Sequence, residues 1–302
     1  MPIVTGYVDT PGGHDALVLG AQLARLTGLT SRVVTVHPAD ARGLAAAARD
    51  PRWREKTAQV AASRFARARE ALFRAELDAE PDPGSAAALA SGAGAAEPEF
   101  VVVGPGPVHE LLAEEADADG AAVLVVGSTG HGLLGRLAAG GTVARLVPIA
   151  PCPVAVAPRG YRHTATRAMT VVAVAYDGTD EADRAAAVAV HLAGRTGAAL
   201  RFVTVAEDAD GVPAATALAQ KGLVSTPVEI DAFVDVLVGP VAATLADLPE
   251  RTDVLVLGSR GYRGMRRLLL GGVAGALVRT ARYPVVIVPG PPEQGTPAQA
   301  GG

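Results

Sequence analysis

A glycine pattern that occurs twice, at one constant separation, constrains the fold of this chain more than any other feature. In each copy an apolar run ends in a glycine, a second glycine follows three positions later, and a pair of glycines begins ten positions after that. The first copy consists of Gly127, Gly130, Gly140 and Gly141, and the second of Gly258, Gly261, Gly271 and Gly272. Every member of the second copy lies 131 residues after its counterpart. The sequence therefore predicts two copies of one unit, each built around a strand, a glycine-rich loop and the N-terminus of a helix.

Apolar strands alternate with amphipathic helices in both halves of the chain. The strands are rich in β-branched residues and lack a clean apolar–polar alternation, which is typical of a parallel sheet covered by helices on both faces. We therefore predict an α/β protein with two tandem, doubly wound domains, each holding a five-stranded parallel sheet. The predicted domains are residues 1–159 and 168–290, with a flexible tail at residues 291–302.

Three segments carry expectations of their own. The distance from Asp9 to Gly127 is 118 residues, against 81 from Asp177 to Gly258, so we assign an insert to the first domain at about residues 45–97. In the second domain, residues 228–230 are predicted to form a weak third strand. The polar residues 159–167 are predicted to be the linker between the domains.

The composition excludes several classes of protein. A net charge of −4 and a pI near 5.9 give no support to a nucleic-acid partner. The single cysteine, Cys152, excludes an internal disulfide framework and fits a reducing compartment. We see neither a signal peptide nor an apolar run of the roughly 18 residues that a membrane span needs. These features predict a soluble, cytoplasmic protein.

The loops at the ends of the strands are the candidate binding site, because ligands of such sheets lie beyond the carboxyl ends of the strands. Glycines at a helix N-terminus offer backbone N–H groups to an anion. Asp9 and Asp177, each at the end of a first strand, could accept hydrogen bonds from the amine or hydroxyl groups of an adenine or a ribose. The second loop carries four arginines, whereas the first has only His131 and Arg136. The alternative, that the glycines only make tight turns and close helix–strand contacts, stays open.

Other motifs fail on inspection. Residues 130–135 match the dinucleotide fingerprint G-x-G-x-x-G, but they follow the fourth strand of their half and no acid lies about 20 residues further on. The chain has no P-loop, no G-x-S-x-G elbow, no H-E-x-x-H and no zinc-ligand spacing. No catalytic group and no metal site is therefore predicted.

The doubled loop resembles the universal stress protein family, whose nucleotide-binding members carry G-x2-G-x9-G-[ST] after the fourth strand. The segment Asp177-Gly178-Thr179 is similar to the D-G-[ST] that ends the family's first strand. The closing strings PCPVAVAP and YPVVIVPG are also similar to family sequences. The resemblance covers nearly the whole chain as a tandem pair.

The resemblance implies an ATP-binding site in each half, with Mg²⁺ as a potential companion of the nucleotide. The aspartates would meet the adenine or ribose end, and the glycines would wrap the ribose and phosphates. It also implies that the fifth strands, at residues 154–157 and 285–288, could pair within the chain as a pseudo-dimer, with a homodimer left open. The implied site residues are Asp9, Gly127, Gly130, His131, Gly140, Gly141, Thr142, Asp177, Gly178, Thr179, Gly258, Gly261, Gly271 and Gly272.

Two departures from the family pattern bear on affinity. The [ST] position is Gly141 in one copy and Gly272 in the other, so a hydroxyl for phosphate is missing from both. Thr142 could substitute in the first copy, whereas Val273 cannot in the second. Asp9 is also followed by Thr-Pro-Gly-Gly instead of Gly-[ST].

Three hypotheses for function follow. The first is an ATP-binding stress-response or regulatory protein with slow or no hydrolysis, at most a weak ATPase. The second is an interaction module of the same fold whose pockets are weakened or empty, or bind AMP or another ligand. The third is an enzyme of related architecture that adenylates or transfers a group.

Overall fold

A computed structural model describes most of the chain as alternating strands and helices. The described residues are 1–36, 51–78, 97–128, 141–166, 168–248, 251–259 and 270–291. The first half contains β1 (Ile3–Gly6), α1 (Pro11–Thr27), β2 (Ser31–Val36), α2 (Pro51–Asp78), β3 (Glu99–Val103), α3 (Val108–Ala118), β4 (Val123–Gly127), α4 (Gly141–Leu146) and β5 (Val154–Ala157). The second half contains β6 (Val171–Ala175), α5 (Asp180–Thr196), β7 (Ala199–Ala206), α6 (Val212–Val224), β8 (Ala232–Val238), α7 (Val241–Ala246), β9 (Val254–Gly258), α8 (Gly272–Thr280) and β10 (Val285–Val288).

All ten strands form one sheet, in the order β3-β2-β1-β4-β5-β10-β9-β6-β7-β8. Neighbouring strands are parallel within each half. The two halves meet where β5 pairs with β10 in antiparallel register, with Ala155 opposite Val286 and Val154 opposite Ile287. The predicted fold class is therefore confirmed, and so is the predicted pairing of the two fifth strands within one chain.

The junction strands belong to the hydrophobic core on both faces of the sheet. Alternate residues of a strand point to opposite faces, so Val154 and Ile287 enter a cluster under α3, α4, α7 and α8. Ala155 and Val286 enter a second cluster under α1 and α5. Both clusters contain residues of both halves, and the two halves therefore share their core.

The helices after the first strands, α1 and α5, begin and end on matching residues. The hydroxyl of Thr10 accepts a hydrogen bond from the Gly13 amide, and Thr179 caps α5 in the same way. A threonine oxygen at this position satisfies an N–H group that the helix leaves unpaired. Gly28 and Gly197 end the two helices with φ values of 66° and 71°, in the left-handed region that glycine tolerates.

The segment between the second and third strands corrects one sequence-based expectation and adds detail to another. Residues 228–230 form a turn, in which the Ile230 amide bonds the Pro227 carbonyl, and the third strand is instead the apolar run of β8. The long helix α2 is the crossover between β2 and β3, as α6 is between β7 and β8. The predicted insert thus contains an element of the repeated unit, with 28 residues in α2 against 13 in α6.

The segment between the halves is packed against α1. It contains a short 3₁₀ turn (Tyr161–His163), and the completely buried carboxylate of Asp15 in α1 binds it. Asp15 accepts hydrogen bonds from the Gly160 amide at 2.9 Å, the Arg162 amide at 3.1 Å and the Arg162 guanidinium at 2.9 Å. Further along α1, Gln22 accepts a hydrogen bond from the Tyr161 hydroxyl. These contacts fix the path of the chain as it leaves the first half.

The Asp15→Ala substitution should lower the free energy of unfolding by about 3 kcal/mol, because it leaves a guanidinium and two amides without this buried acceptor. Urea denaturation followed by circular dichroism measures this loss. Asp210→Ala is the matched control at an exposed position, and it should change stability by less than about 0.5 kcal/mol. Equal losses in the two variants would contradict the role given to Asp15.

Candidate ligand-binding site

A cavity of about 800 Å³ opens at the carboxyl ends of β6, β7 and β9 in the second half. Its walls are the N-terminal ends of α5 and α8, the helix α7 and the ends of the strands. Five residues predicted from the sequence line it: Asp177, Thr179, Gly258, Gly271 and Gly272. The structure therefore brings together, around one space, residues that are up to 95 positions apart in the chain.

The two helices that begin at this cavity differ in charge. The first turn of α5 contains Asp180, Glu181 and Asp183, whereas the first turn of α8 contains no acid. Glu207 adds a further carboxylate to the lining. A helix N-terminus attracts an anion through its unpaired N–H groups and its dipole. In α5 the carboxylates of the first turn already supply the negative charge at this end of the helix. An anionic ligand group is therefore favoured at α8, and a hydrogen-bond donor near the acidic side.

Asp177 is held in place by a tight turn at the end of β6. Its Oδ1 accepts hydrogen bonds from the Thr179 amide at 3.2 Å and from the Thr179 hydroxyl at 2.6 Å. Between them lies Gly178, whose φ of 74° is in the left-handed region. The carboxylate at the cavity thus has a fixed position before any ligand binds.

The glycines of the repeated pattern have two different roles. A Cβ at Gly258 would lie 2.9 Å from the Glu181 carbonyl oxygen, and one at Gly127 would overlap the Gly12 carbonyl. At these two positions glycine allows a strand end to approach a helix N-terminus closely. At Gly141 and Gly272, by contrast, a Cβ would have no described atom within 4 Å.

The hydrogen-bond register shows that Asp9 and Asp177 do not occupy equivalent positions after their strands. The Tyr7 amide bonds the Val34 carbonyl and the Tyr176 amide bonds the Val203 carbonyl, so the two tyrosines correspond. The capping residues Thr10 and Thr179 correspond as well. The aligned segments therefore read Tyr-Val-Asp-Thr and Tyr-Asp-Gly-Thr, which places Val8 opposite Asp177 and Asp9 opposite Gly178.

Asp9 is engaged by side chains of its own half. It forms an ion pair with Arg67 of α2, and the Nε2 atom of His14 in α1 lies 3.2 Å from its Oδ1. The Arg67 guanidinium holds the pKa of the Asp9 carboxyl below its ordinary value. Burial and the neighbouring Asp9 charge raise the pKa of Tyr7 to about 12. The carboxylate of Asp9 is therefore in contact with side chains of both α1 and α2.

The remaining predicted residues divide into two groups. Gly141 is the first residue of α4 and Thr142 follows it in the helix, half-buried. Gly130, His131, Gly140 and Gly261 lie outside the described residues, as do the four arginines of the second loop.

A buried arginine in β7 was not among the residues predicted from the sequence. Arg201 is 5% exposed, and its guanidinium pairs with Asp235 and reaches the Thr252 hydroxyl at 3.3 Å. Nearby, the Tyr283 hydroxyl donates to the carbonyl of Leu245, a lining residue of α7. A signal was present, since Arg32 occupies the equivalent place in β2, in Arg-Val-Val-Thr-Val against Arg-Phe-Val-Thr-Val. A charged residue repeated inside two apolar strands indicates a buried ion pair.

Metal-ligating clusters and membrane-spanning helices are both absent from the part of the chain that the structure describes. Within the ranges given above, no three His, Cys, Asp or Glu side chains are grouped so that they could hold a metal ion. None of the described helices combines the length and the apolar character needed to cross a membrane.

The two roles of glycine predict different responses to a methyl group. Gly258→Ala should lower the free energy of unfolding by about 2 kcal/mol, because its Cβ has to displace the backbone of α5. Gly272→Ala should change it by less than about 1 kcal/mol, because its Cβ would meet none of the described atoms. Chemical denaturation of both variants checks this difference, and a larger loss for Gly272→Ala would contradict it.

Comparison with known proteins identifies sequences and structures similar to this chain. The model of the universal stress protein family matches residues 1–158 and again residues 169–289. Universal stress protein Rv2319c of Mycobacterium tuberculosis is 27% identical over 310 residues, which cover 96% of this chain and 100% of that protein. Universal stress protein Rv2005c of the same organism is 30% identical over 63% of this chain and 67% of its own length. The crystal structure of a universal stress protein from Archaeoglobus fulgidus has a TM-score of 0.66 and 15% identity, and the match covers 95% of this chain and 96% of that one.

Proposed function

The chain belongs to the universal stress protein family, and we propose that it is a regulatory protein that binds ATP in the cavity of its second half and hydrolyses it slowly or not at all. The observation that carries the proposal is the meeting of Asp177, Gly258 and the Gly271–Gly272 pair around one cavity. These are the residues that the family pattern assigns to a nucleotide.

The cavity fits a nucleotide in size and in the arrangement of its chemistry. Its volume of about 800 Å³ lies within the usual range of small-molecule sites, about 300–1,000 Å³. Three partly exposed valines of the lining give a base an apolar surface to lie against: Val205, Val241 and Val273. The Asp177 carboxylate suits the hydroxyl groups of a ribose or the amine of an adenine, and the N-terminus of α8 suits phosphate.

Among the described residues, the lining offers groups for binding and no cation for phosphoryl transfer. Phosphoryl transfer depends on cations that stabilise the transferred group and on a residue that positions the nucleophile. The charged side chains among the described lining residues are all carboxylates: Asp177, Asp180, Glu181 and Glu207. Carboxylate oxygens are suitable partners for Mg²⁺, so a bound nucleotide would bring its own cation to this rim.

A second candidate is an interaction module that takes AMP or another ligand with fewer phosphates. Two observations favour it: Gly272 supplies no hydroxyl for phosphate, and the carboxylates of the rim repel a polyphosphate that lacks a metal. Both candidates use the same cavity and differ in the charge of the ligand.

Isothermal titration of the full chain with ATP plus Mg²⁺, and separately with AMP, distinguishes the candidates. We expect saturable binding of ATP with Mg²⁺ and little release of inorganic phosphate over hours. Tighter binding of AMP than of ATP would favour the second candidate. No heat with either ligand at millimolar concentration would contradict both.

The Gly272→Ser substitution should tighten ATP binding about five-fold, because one added hydrogen bond contributes about 1 kcal/mol. The space around Gly272 accepts the side chain without a clash with described atoms. Gly272→Ala is the matched control, since it adds the Cβ without the hydroxyl, and its affinity should equal that of the wild type. Serine and alanine variants of equal affinity would contradict a phosphate position at this helix N-terminus.

A further inference from the structure

We infer that the first half is closed to nucleotide by its own helix α2, so that the chain carries one nucleotide site, in the second half. This inference rests on the proposed function and adds which of the two repeated units performs it. It follows from three differences between the ends of β1 and β6.

The first difference is the residue at the position of the ligand-binding carboxylate. Where Asp177 lines the cavity of the second half, the first half has Val8, which is 45% exposed. A valine side chain has no atom that accepts a hydrogen bond from a ribose hydroxyl or an adenine amine. The nearest carboxylate along the chain, Asp9, lies one residue later.

The second difference is that Asp9 is bound by α2. Arg67 reaches Asp9 from a helix that is itself anchored, because the neighbouring Ala68 is fully buried against Tyr7, Leu17 and Val33. Phe65, two residues before Arg67 in α2, packs against Phe100 of β3, with ring centroids 5.0 Å apart. The packing of α2 thus places the partly exposed Arg67 guanidinium at the Asp9 carboxylate, so this acid is already paired within the first half.

In the second half, the contact between the loop after β6 and the crossover helix α6 is apolar, and Asp177 lines the cavity. Gly178, the counterpart of Asp9, lies against Leu218 of α6, whose Cδ2 is 2.6 Å from the place of a Cβ. The crossover helix there makes its contact with the loop through a leucine and a glycine. Asp177 is bonded instead to Thr179 on the side of α5.

The third difference is the space between the strand end and the following helix. A Cβ at Gly13 of α1 would overlap the Val8 carbonyl oxygen, whereas the equivalent position in α5 holds Ala182. The Thr10 amide bonds the same Val8 carbonyl at 2.7 Å. The loop after β1 is therefore folded closely onto the N-terminus of α1. At the equivalent place in the second half there is room for the side chain of Ala182, which lines the cavity.

Nucleotide stoichiometry, measured with a matched pair of variants, tests this inference. Native mass spectrometry of the full chain with ATP and Mg²⁺ should give one nucleotide per chain. In titrations, Asp177→Asn should weaken ATP binding by at least ten-fold, about 1.4 kcal/mol, and Asp9→Asn should leave the affinity within about two-fold of the wild type. Thermal melts confirm that both variants are folded.

Each result of this experiment has a distinct meaning. Two nucleotides per wild-type chain would overturn the inference while leaving the proposed function intact. So would a loss of affinity in Asp9→Asn that equals or exceeds the loss in Asp177→Asn, and so would unchanged affinity in both variants. A wild-type chain that binds no nucleotide would contradict the proposed function itself.

Discussion

The antiparallel pairing of β5 with β10 is the interaction on which the rest of the structure depends. It joins two parallel half-sheets into one ten-stranded sheet, and its residues belong to the core on both faces. Because the halves run in opposite directions at this junction, their carboxyl edges lie on opposite sides of the molecule. Each edge has its own helices and loops. A ligand site can therefore be present at one edge while the other edge has different chemistry.

The two carboxyl edges differ because the aspartate after the first strand is shifted by one residue between the halves. With Tyr7 and Tyr176 aligned, a carboxylate at the next position lines a cavity, and one at the position after that pairs with the crossover helix. The second arrangement joins α2 to the end of β1 and leaves Val8, which has no side-chain acceptor, at the position of Asp177. Opposite charges at short range favour each other in the folded chain, so Asp9 is paired with Arg67 of α2.

The fold could be predicted because it depends on residue spacings and residue types that can be read along the sequence, without knowledge of distances in space. Repeated glycine spacing and β-branched strands sufficed for the two parallel units, whereas the junction of the fifth strands was expected only from the family resemblance. The site was only partly predictable, since Asp9 and Asp177 look alike until hydrogen bonds fix the register. The roles of Gly258 and Gly272 depend on which backbone approaches each glycine. The helix α6 was not predicted because its alanine-rich sequence, with Gly222 inside it, lacks apolar contrast.

We thus propose a regulatory protein in which one repeated unit binds a nucleotide and the other supports the shared core. The measurement that tests this most directly is a crystal structure of the chain grown with an ATP analogue and Mg²⁺. It should place the nucleotide between the N-termini of α5 and α8, beside Asp177 and Gly272, with Asp9 still paired to Arg67. A nucleotide beside Gly141 of the first half, with that ion pair broken, would contradict the proposal.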